Sequence, residues 1–428
     1  MQGFILGDAV VVTVNQNMDV ISGGAVAVIG NKIAEVDKTD IVRKKYPNLK
    51  YIDTKRALVM PGLVNTHTHL PMSLVRGLAE DLALHEWLYK TYDFKVKYIP
   101  RPMFHYGVRL SLLELLKNGT TTICDMSFHQ YMIAEIVQKY KLRAVLCDTM
   151  METYFNDQTF KEMDIYLNTD YGQLITKAIA LHAPYTCSLP QFDWLKKMIE
   201  KYPDILYSIH LLEAKTENAN FKKRFGITPI ALLKKMNLLS ERLLAIHCVW
   251  LNDKEIDLFQ KYDVKVSYCP ESNMKLGSGI APINKMLEKN ITVGIGTDGA
   301  ASNNDLDLFS EIDSGAKLQK VWTTDPTKPT ARKMVKMATI DGARALGLDK
   351  IIGSLEKGKR ADIIVVDLQQ IRLKPVYDIH SHIVYAINGR DVKDVIIDGN
   401  FVIKNRKVMV DDESAILAEL NSFNKDIN

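Results

Sequence analysis

At 428 residues, 47% hydrophobic and 25% charged, the chain has ordinary globular composition and ample length for a large core. Its net charge of +4, from 55 basic and 51 acidic residues, is too small and too evenly mixed to argue for nucleic acid or a membrane surface as partner. The five cysteines include no CxxC pair, which suits buried thiols in a reducing compartment. The stretch MQGFILGDAVVVTVNQ carries no basic n-region or cleavage pattern, and no run reaches about 18 uninterrupted apolar residues, so the expected address is the cytoplasm.

Residues 1–57 read as all-β. Short runs rich in Val, Ile and Ala are separated by Gly7-Asp8, Gly23-Gly24 and Gly30-Asn31, which are turn signals. From residue 58 apolar runs alternate with longer amphipathic segments. The runs are Leu58–Asn65, Thr120–Asp125, Arg143–Asp148, Ala178–His182, Ile205–His210, Leu243–His247, Lys265–Cys269 and Thr292–Asp298. Helical patterns lie between them, as in Phe104–Lys117, stopped by Asn118-Gly119, and Ser188–Lys201, with Pro190 near its start. This alternation predicts an α/β chain with a (β/α)8 TIM-like barrel over 58–350. After residue 350 the β character returns: ADIIVVD at 361–367 and a hairpin at 392–405 about Asp398-Gly399-Asn400. Residues 1–57 and 351–428 are therefore expected to form one small β-sandwich domain from both chain ends, with Ser414–Phe423 as a terminal helix.

Buried parallel strands are apolar, so polar strand ends stand out. His67, His69, Asp125, Asp148, His182, His210, His247 and Asp298 all end or closely follow predicted strands, and strand C-termini in a barrel converge on one mouth. His67 and His69 are two apart on a strand, so both imidazoles share a face. A catalytic zinc-type site needs about three protein ligands and an open position. His67, His69, His210 and Asp298 supply candidates from the first, fifth and eighth strands. Glu213, three residues past His210, can carry a proton to or from a substrate heteroatom. His247 stands behind four apolar residues and needs a polar partner.

These residues resemble a known family. The H-x-H strand, HLLEAKTE (210–217), AIHCVWL (245–251) and GIGTDGAASNNDLDLF (294–309) are similar to the amidohydrolase superfamily. With PGLVNTHTHLPMSLVRGLAEDLALHEWL (61–88), LHAPYTCS (181–188), SNMKLGSGIAPI (272–283) and LEKGKRADIIVVDL (355–368), the chain resembles 5'-methylthioadenosine/S-adenosylhomocysteine deaminases and related aminohydrolases. The resemblance implies one divalent metal per subunit on His67, His69, His210 and Asp298. Zinc is the default, and Fe2+ or Mn2+ also suit such a set. It implies Glu213 as proton shuttle, His247 and Asp298 as handlers of the attacking water, and His182, Glu213, Trp87 and Ser302 as substrate contacts. Related cyclic-amide hydrolases use two metals and a modified lysine at the fourth strand; His182 stands there instead, which favours one metal.

The implied reaction is hydrolytic deamination of an amino-substituted N-heterocycle, with an adenine nucleoside such as 5'-methylthioadenosine or adenosine as the expected substrate. Aminofutalosine, pterin or guanine-type deamination and triazine-type hydrolysis are the alternatives on this scaffold. A non-enzymatic relative is disfavoured because all four ligands, Glu213 and His247 are kept. A homo-oligomer is a further implication. Two features depart from the family pattern. Val96 stands ten residues after Glu86, where a ribose-binding glutamate is expected, with Asp93 nearby. No arginine occurs between Arg143 and Arg224, and Asp148 falls about where a carboxylate-binding arginine belongs. A carboxylate there would repel S-adenosylhomocysteine.

Overall fold

Eight parallel strands close into a barrel in the computed structural model, which describes residues 3–84, 86–91 and 101–427, with side chains except at 101–103 and 422–427. The barrel strands are Leu63–Thr68, Thr120–Ser127, Arg143–Met150, Ile175–Leu181, Leu206–Leu211, Leu243–His247, Lys265–Tyr268 and Val293–Ile295. They are numbered first to eighth below. Their inward side chains alternate with outward ones, as the pleat requires. Val64, Cys124, Met126, Val145, Cys147, Ala178, Ala180, Leu244 and Ile246 form an interior cluster that Ala343, Leu346 and Ile352 also join. Their neighbours Ile123, Leu146, Ile179, Ile209 and Ala245 belong instead to the larger cluster shared with the surrounding helices.

The first predicted run is two strands. Leu58–Pro61 lies in the second sheet, parallel to Gly3–Val12 and antiparallel to Ile363–Val366, and only Leu63–Thr68 enters the barrel. Gly62 is the hand-over point. A Cβ there would lie 2.1 Å from Thr121 Cγ2, so only glycine lets the chain pass between the two sheets.

The chain ends build one continuous nine-stranded sheet. It folds over on itself: Phe4 and Phe401 rings lie 5.2 Å apart, and Asn31 Nδ2 donates to Asp398 Oδ2 at 3.3 Å. Leu6, Val11, Val26, Val59, Ile363 and Ile396 fill the fold. The all-β reading of residues 1–57 needs one correction. Thr39–Lys45 is a helix, burying Val42 near Ile5, Ala25 and Ala27; seven residues with one buried position give too little periodicity to detect. The terminal helix runs Glu413–Ile427. No helix among the described residues is long and apolar enough to cross a membrane.

Candidate active site

The side chains at the barrel mouth are placed by four local departures from regular strand geometry. After Asn65 the pairing of the first strand with the second slips, Thr68 facing Asp125 where regular pairing would bring His67. Such a bulge re-aims side chains. At the other three places a non-glycine residue takes a left-handed backbone: Leu212 (φ 51), His247 (φ 69) with Cys248 (φ 52), and Asp298 (φ 60). These conformations are strained, and strain of this kind collects at functional sites. The eighth strand makes room by lacking side chains. A Cβ on Gly294 would sit 2.4 Å from Thr66 Cγ2, and one on Gly296 would sit 2.8 Å from His67 Cβ and N.

His67, His69, His210 and Asp298 converge. His67 Nε2 lies 3.2 Å from His210 Nε2 and 3.3 Å from Asp298 Oδ1, and His69 Nε2 lies 3.4 Å from the same oxygen. Zinc–ligand arms of about 2.0–2.1 Å at tetrahedral angles put neighbouring donors roughly 3.3 Å apart. The donor chemistry fits too. Burial lowers the pKa of His67 and of His210, the latter further by His182, His67 and His247 nearby, so both imidazoles keep lone pairs. Burial alone would raise Asp298, but the hydrogen bond and charge of His67, with His69 and His247, outweigh it and hold the carboxyl well below the usual range. His69 Nδ1 faces the Met126 carbonyl, a backbone contact that leaves Nε2 as the lone-pair nitrogen. Two overlapping sets of donors each lie within 4.8 Å of one another: His67, His69 and Asp298, and His67, His210 and His247; the first has the chemistry of a divalent-cation site.

The predicted proton carriers stand beside this set. Glu213 Oε2 is 3.8 Å from His247 Nε2. Burial raises the Glu213 carboxyl above the ordinary glutamate range; Asp298 adds to this, against His247 and the Tyr185 hydroxyl. His182, its ring 5.0 Å from that of His210, bonds through Nδ1 to Thr186 Oγ1 at 2.8 Å. Trp87 is buried at the rim and donates its indole N–H to Ala301 O at 3.3 Å, in an apolar cluster with Met72, Val75 and Leu84. Ser302 is buried and donates its hydroxyl to Gly299 O at 3.1 Å.

Two predicted mouth residues are elsewhere. Asp125 and Asp148 point outward, because Cys124, Met126, Val145 and Cys147 take the inward positions on those strands. Asp125 accepts from Leu70 N–H at 2.7 Å and Gln130 Nε2 at 2.6 Å, anchoring the chain as it leaves His69. Asp148 accepts from Gln130 N–H at 3.3 Å, at the start of helix Gln130–Tyr140. It therefore does not face the mouth, and the repulsion expected from it against a substrate carboxylate falls away. Asp93 and Val96 lie outside the described residues.

Sequence reading passed over Ser272 and Asn273. Ser272 donates to Asp298 Oδ2 at 2.7 Å, and His247 Nδ1 donates to Asn273 Oδ1 at 3.0 Å. That second bond leaves His247 Nε2 as the acceptor nitrogen. The available signal was two polar residues, four and five positions after Tyr268 at the end of an apolar strand.

A model of the Amidohydrolase family matches residues 58–402. The chain belongs to the amidohydrolase family. This amidohydrolase is 38% identical over 424 residues to a 5-methylthioadenosine/S-adenosylhomocysteine deaminase 1 of Syntrophus aciditrophicus, covering 97% of this chain and 95% of that one. It is 39% identical over 425 residues to a 5'-deoxyadenosine deaminase of Methanosarcina acetivorans, covering 98% and 97%. Among solved structures, an adenosine deaminase of Xanthomonas campestris with bound zinc superposes with a TM-score of 0.94 at 33% identity, covering 100% of this chain and 98% of that one.

Proposed function

We propose that this amidohydrolase is a zinc-dependent deaminase that removes the 6-amino group of an adenine nucleoside and releases ammonia. The observation that carries the reading is the donor set of His67, His69, His210 and Asp298 with Glu213 and His247 beside it. Those four residues would hold a divalent metal, which would lower the pKa of a water and so supply hydroxide near neutral pH. Asp298, ionised and steadied by Ser272 and by Gly299 N–H at 2.8 Å, accepts a proton from the attacking water. His247, its Nδ1 bonded to Asn273, presents Nε2 to orient that water. Glu213, its carboxyl raised above the ordinary range by burial, gives a proton to the ring nitrogen next to the attacked carbon, which lets the ring take up the electron pair. Return of a proton to the exocyclic nitrogen lets ammonia leave. His182 and Trp87 flank the mouth as substrate contacts, with Ser302 behind them in the eighth-strand turn. We assign the protein to the cytoplasm from its five buried free thiols, which suit a reducing compartment, and to a homo-oligomeric assembly from its resemblance to related deaminases.

The substrate class rests on the similarity to the 5-methylthioadenosine/S-adenosylhomocysteine and 5'-deoxyadenosine deaminases. Ammonia release from 5'-methylthioadenosine, 5'-deoxyadenosine, adenosine and S-adenosylhomocysteine, with pterins and triazines as controls, tests it. Turnover of at least one adenine nucleoside is expected. It should vanish after chelation and return with zinc. Zinc-loaded protein that deaminates only pterins or triazines, or nothing, overturns the reading. Glu213→Gln should keep its metal and lose about 10²–10⁴-fold in kcat; an active variant removes Glu213 from the mechanism.

A further inference from the structure

One buried carboxyl at the mouth has no part in that chemistry. Glu217 is 3% exposed and begins helix Glu217–Phe225. Its side chain does not serve that helix. It reaches back, taking Leu212 N–H on Oε1 at 2.8 Å and Glu213 N–H on Oε2 at 3.2 Å. These are the first two N–H groups beyond the fifth strand, which ends at Leu211. Both lie in a buried stretch, where a backbone donor needs a partner.

We propose that Glu217 is the positioning residue for Glu213: one carboxylate, by bridging two consecutive backbone N–H groups, fixes the left-handed turn at Leu212 that aims Glu213 at the substrate. The inference rests on the deaminase reading. The turn is also tied on its other side. Leu211 O accepts from Cys248 N–H and Leu212 O from Trp250 N–H, each at 3.0 Å, which links it to the strained exit of the sixth strand at His247 and Cys248. Glu217 N–H closes the loop onto Ala214 O at 3.0 Å. The pathway thus fixes the 3.8 Å approach of Glu213 Oε2 to His247 Nε2. Burial pushes the Glu217 carboxyl up to about 8, with Glu213 adding to it and the Leu212 and Glu213 N–H groups pulling against it; ionised, it offers each N–H its own oxygen. A glutamine has one, and its NH2 would face the other donor.

The test is Glu217→Gln in the zinc-loaded enzyme, alone and combined with Glu213→Gln, assayed on whichever nucleoside the wild type turns over. Metal content and melting temperature are expected to stay near wild type and KM within about threefold, while kcat falls about tenfold or more, part of what a general acid supplies. In the Glu213→Gln background the second change should alter the residual rate by less than about twofold, since a residue acting through Glu213 has nothing left to position. Wild-type kcat in Glu217→Gln, losses that multiply in the double variant, or metal lost together with activity overturns the assignment. Should Glu217→Gln fail to fold, Glu217→Asp, which keeps both oxygens but withdraws them by one methylene, is read by the same criteria. A wild type that releases no ammonia defeats the deaminase reading instead, and does so before any variant is made.

Discussion

Asp148 shows how much one residue's orientation decides. It was legible as a polar strand end, but a strand's alternation alone does not say which set of side chains faces in. Val145 and Cys147 take the interior, and Asp148 is left against Gln130, Glu162 and Tyr166. Burial pushes its carboxyl from the usual 3.8 up to about 7. Between those values the folded protein holds a proton that the unfolded chain releases, so stability falls as pH rises through the window. At about 1.4 kcal/mol per pH unit, the full effect is of the order of 4 kcal/mol, reduced by local relaxation. Asp148→Asn should therefore match the wild type in urea unfolding near pH 4 and exceed it by a few kcal/mol at pH 8. Equal stability of the two at pH 8 would show that the carboxylate is accommodated without penalty. The proposed metal ligands were legible for the opposite reason. His67, His69, His210 and Asp298 are improbable together as core residues, whatever their individual orientation.

At the scale of elements, the site is a product of irregularity. The strand pattern located the fifth and sixth strands to within a residue or two. It did not reveal the slip after Asn65 or the left-handed turns at Leu212, His247 and Asp298. Periodicity is a property of regular backbone, so it is blind where the backbone is irregular. The eighth strand carries the clearest dependence. It is only three residues long, and the glycines in Val293-Gly294-Ile295-Gly296 let the first strand come close enough for His67 to meet Asp298. Gly296→Ala should fold but push His67 off its position, weakening metal retention about 10–100-fold in competition with a chelator, as losses around a metal site commonly do. Unchanged retention would mean that the first strand yields without moving its histidine.

The whole molecule is a barrel bound to a sheet made by both chain ends. Composition and turn signals foretold that partnership but not its seam, which consists of groups far apart in sequence. Arg143, at the start of the third barrel strand, is buried against Asp362, with Nε–Oδ2 2.7 Å and Nη2–Oδ1 3.1 Å, and Asp362 also accepts from Asp398 N–H at 2.8 Å. Removing Asp362 leaves the buried Arg143 only the more distant Asp398 Oδ1 at 3.5 Å, so Asp362→Ala should lower unfolding free energy by about 3 kcal/mol, whereas Arg143→Met with Asp362→Asn should stay close to wild type. Comparable losses in both would assign the seam's strength to packing instead. The hand-over at Gly62 bears on how such enzymes can be recombined. One extended run supplies first a central strand of the outer sheet and then, one glycine later, two histidines of the proposed metal set. The barrel is therefore not a transferable cassette. A chimera joined between residues 58 and 69 breaks that run, and a donor's N-terminal segment must arrive with the donor's own version of Ile363–Val366, from the far end of the gene.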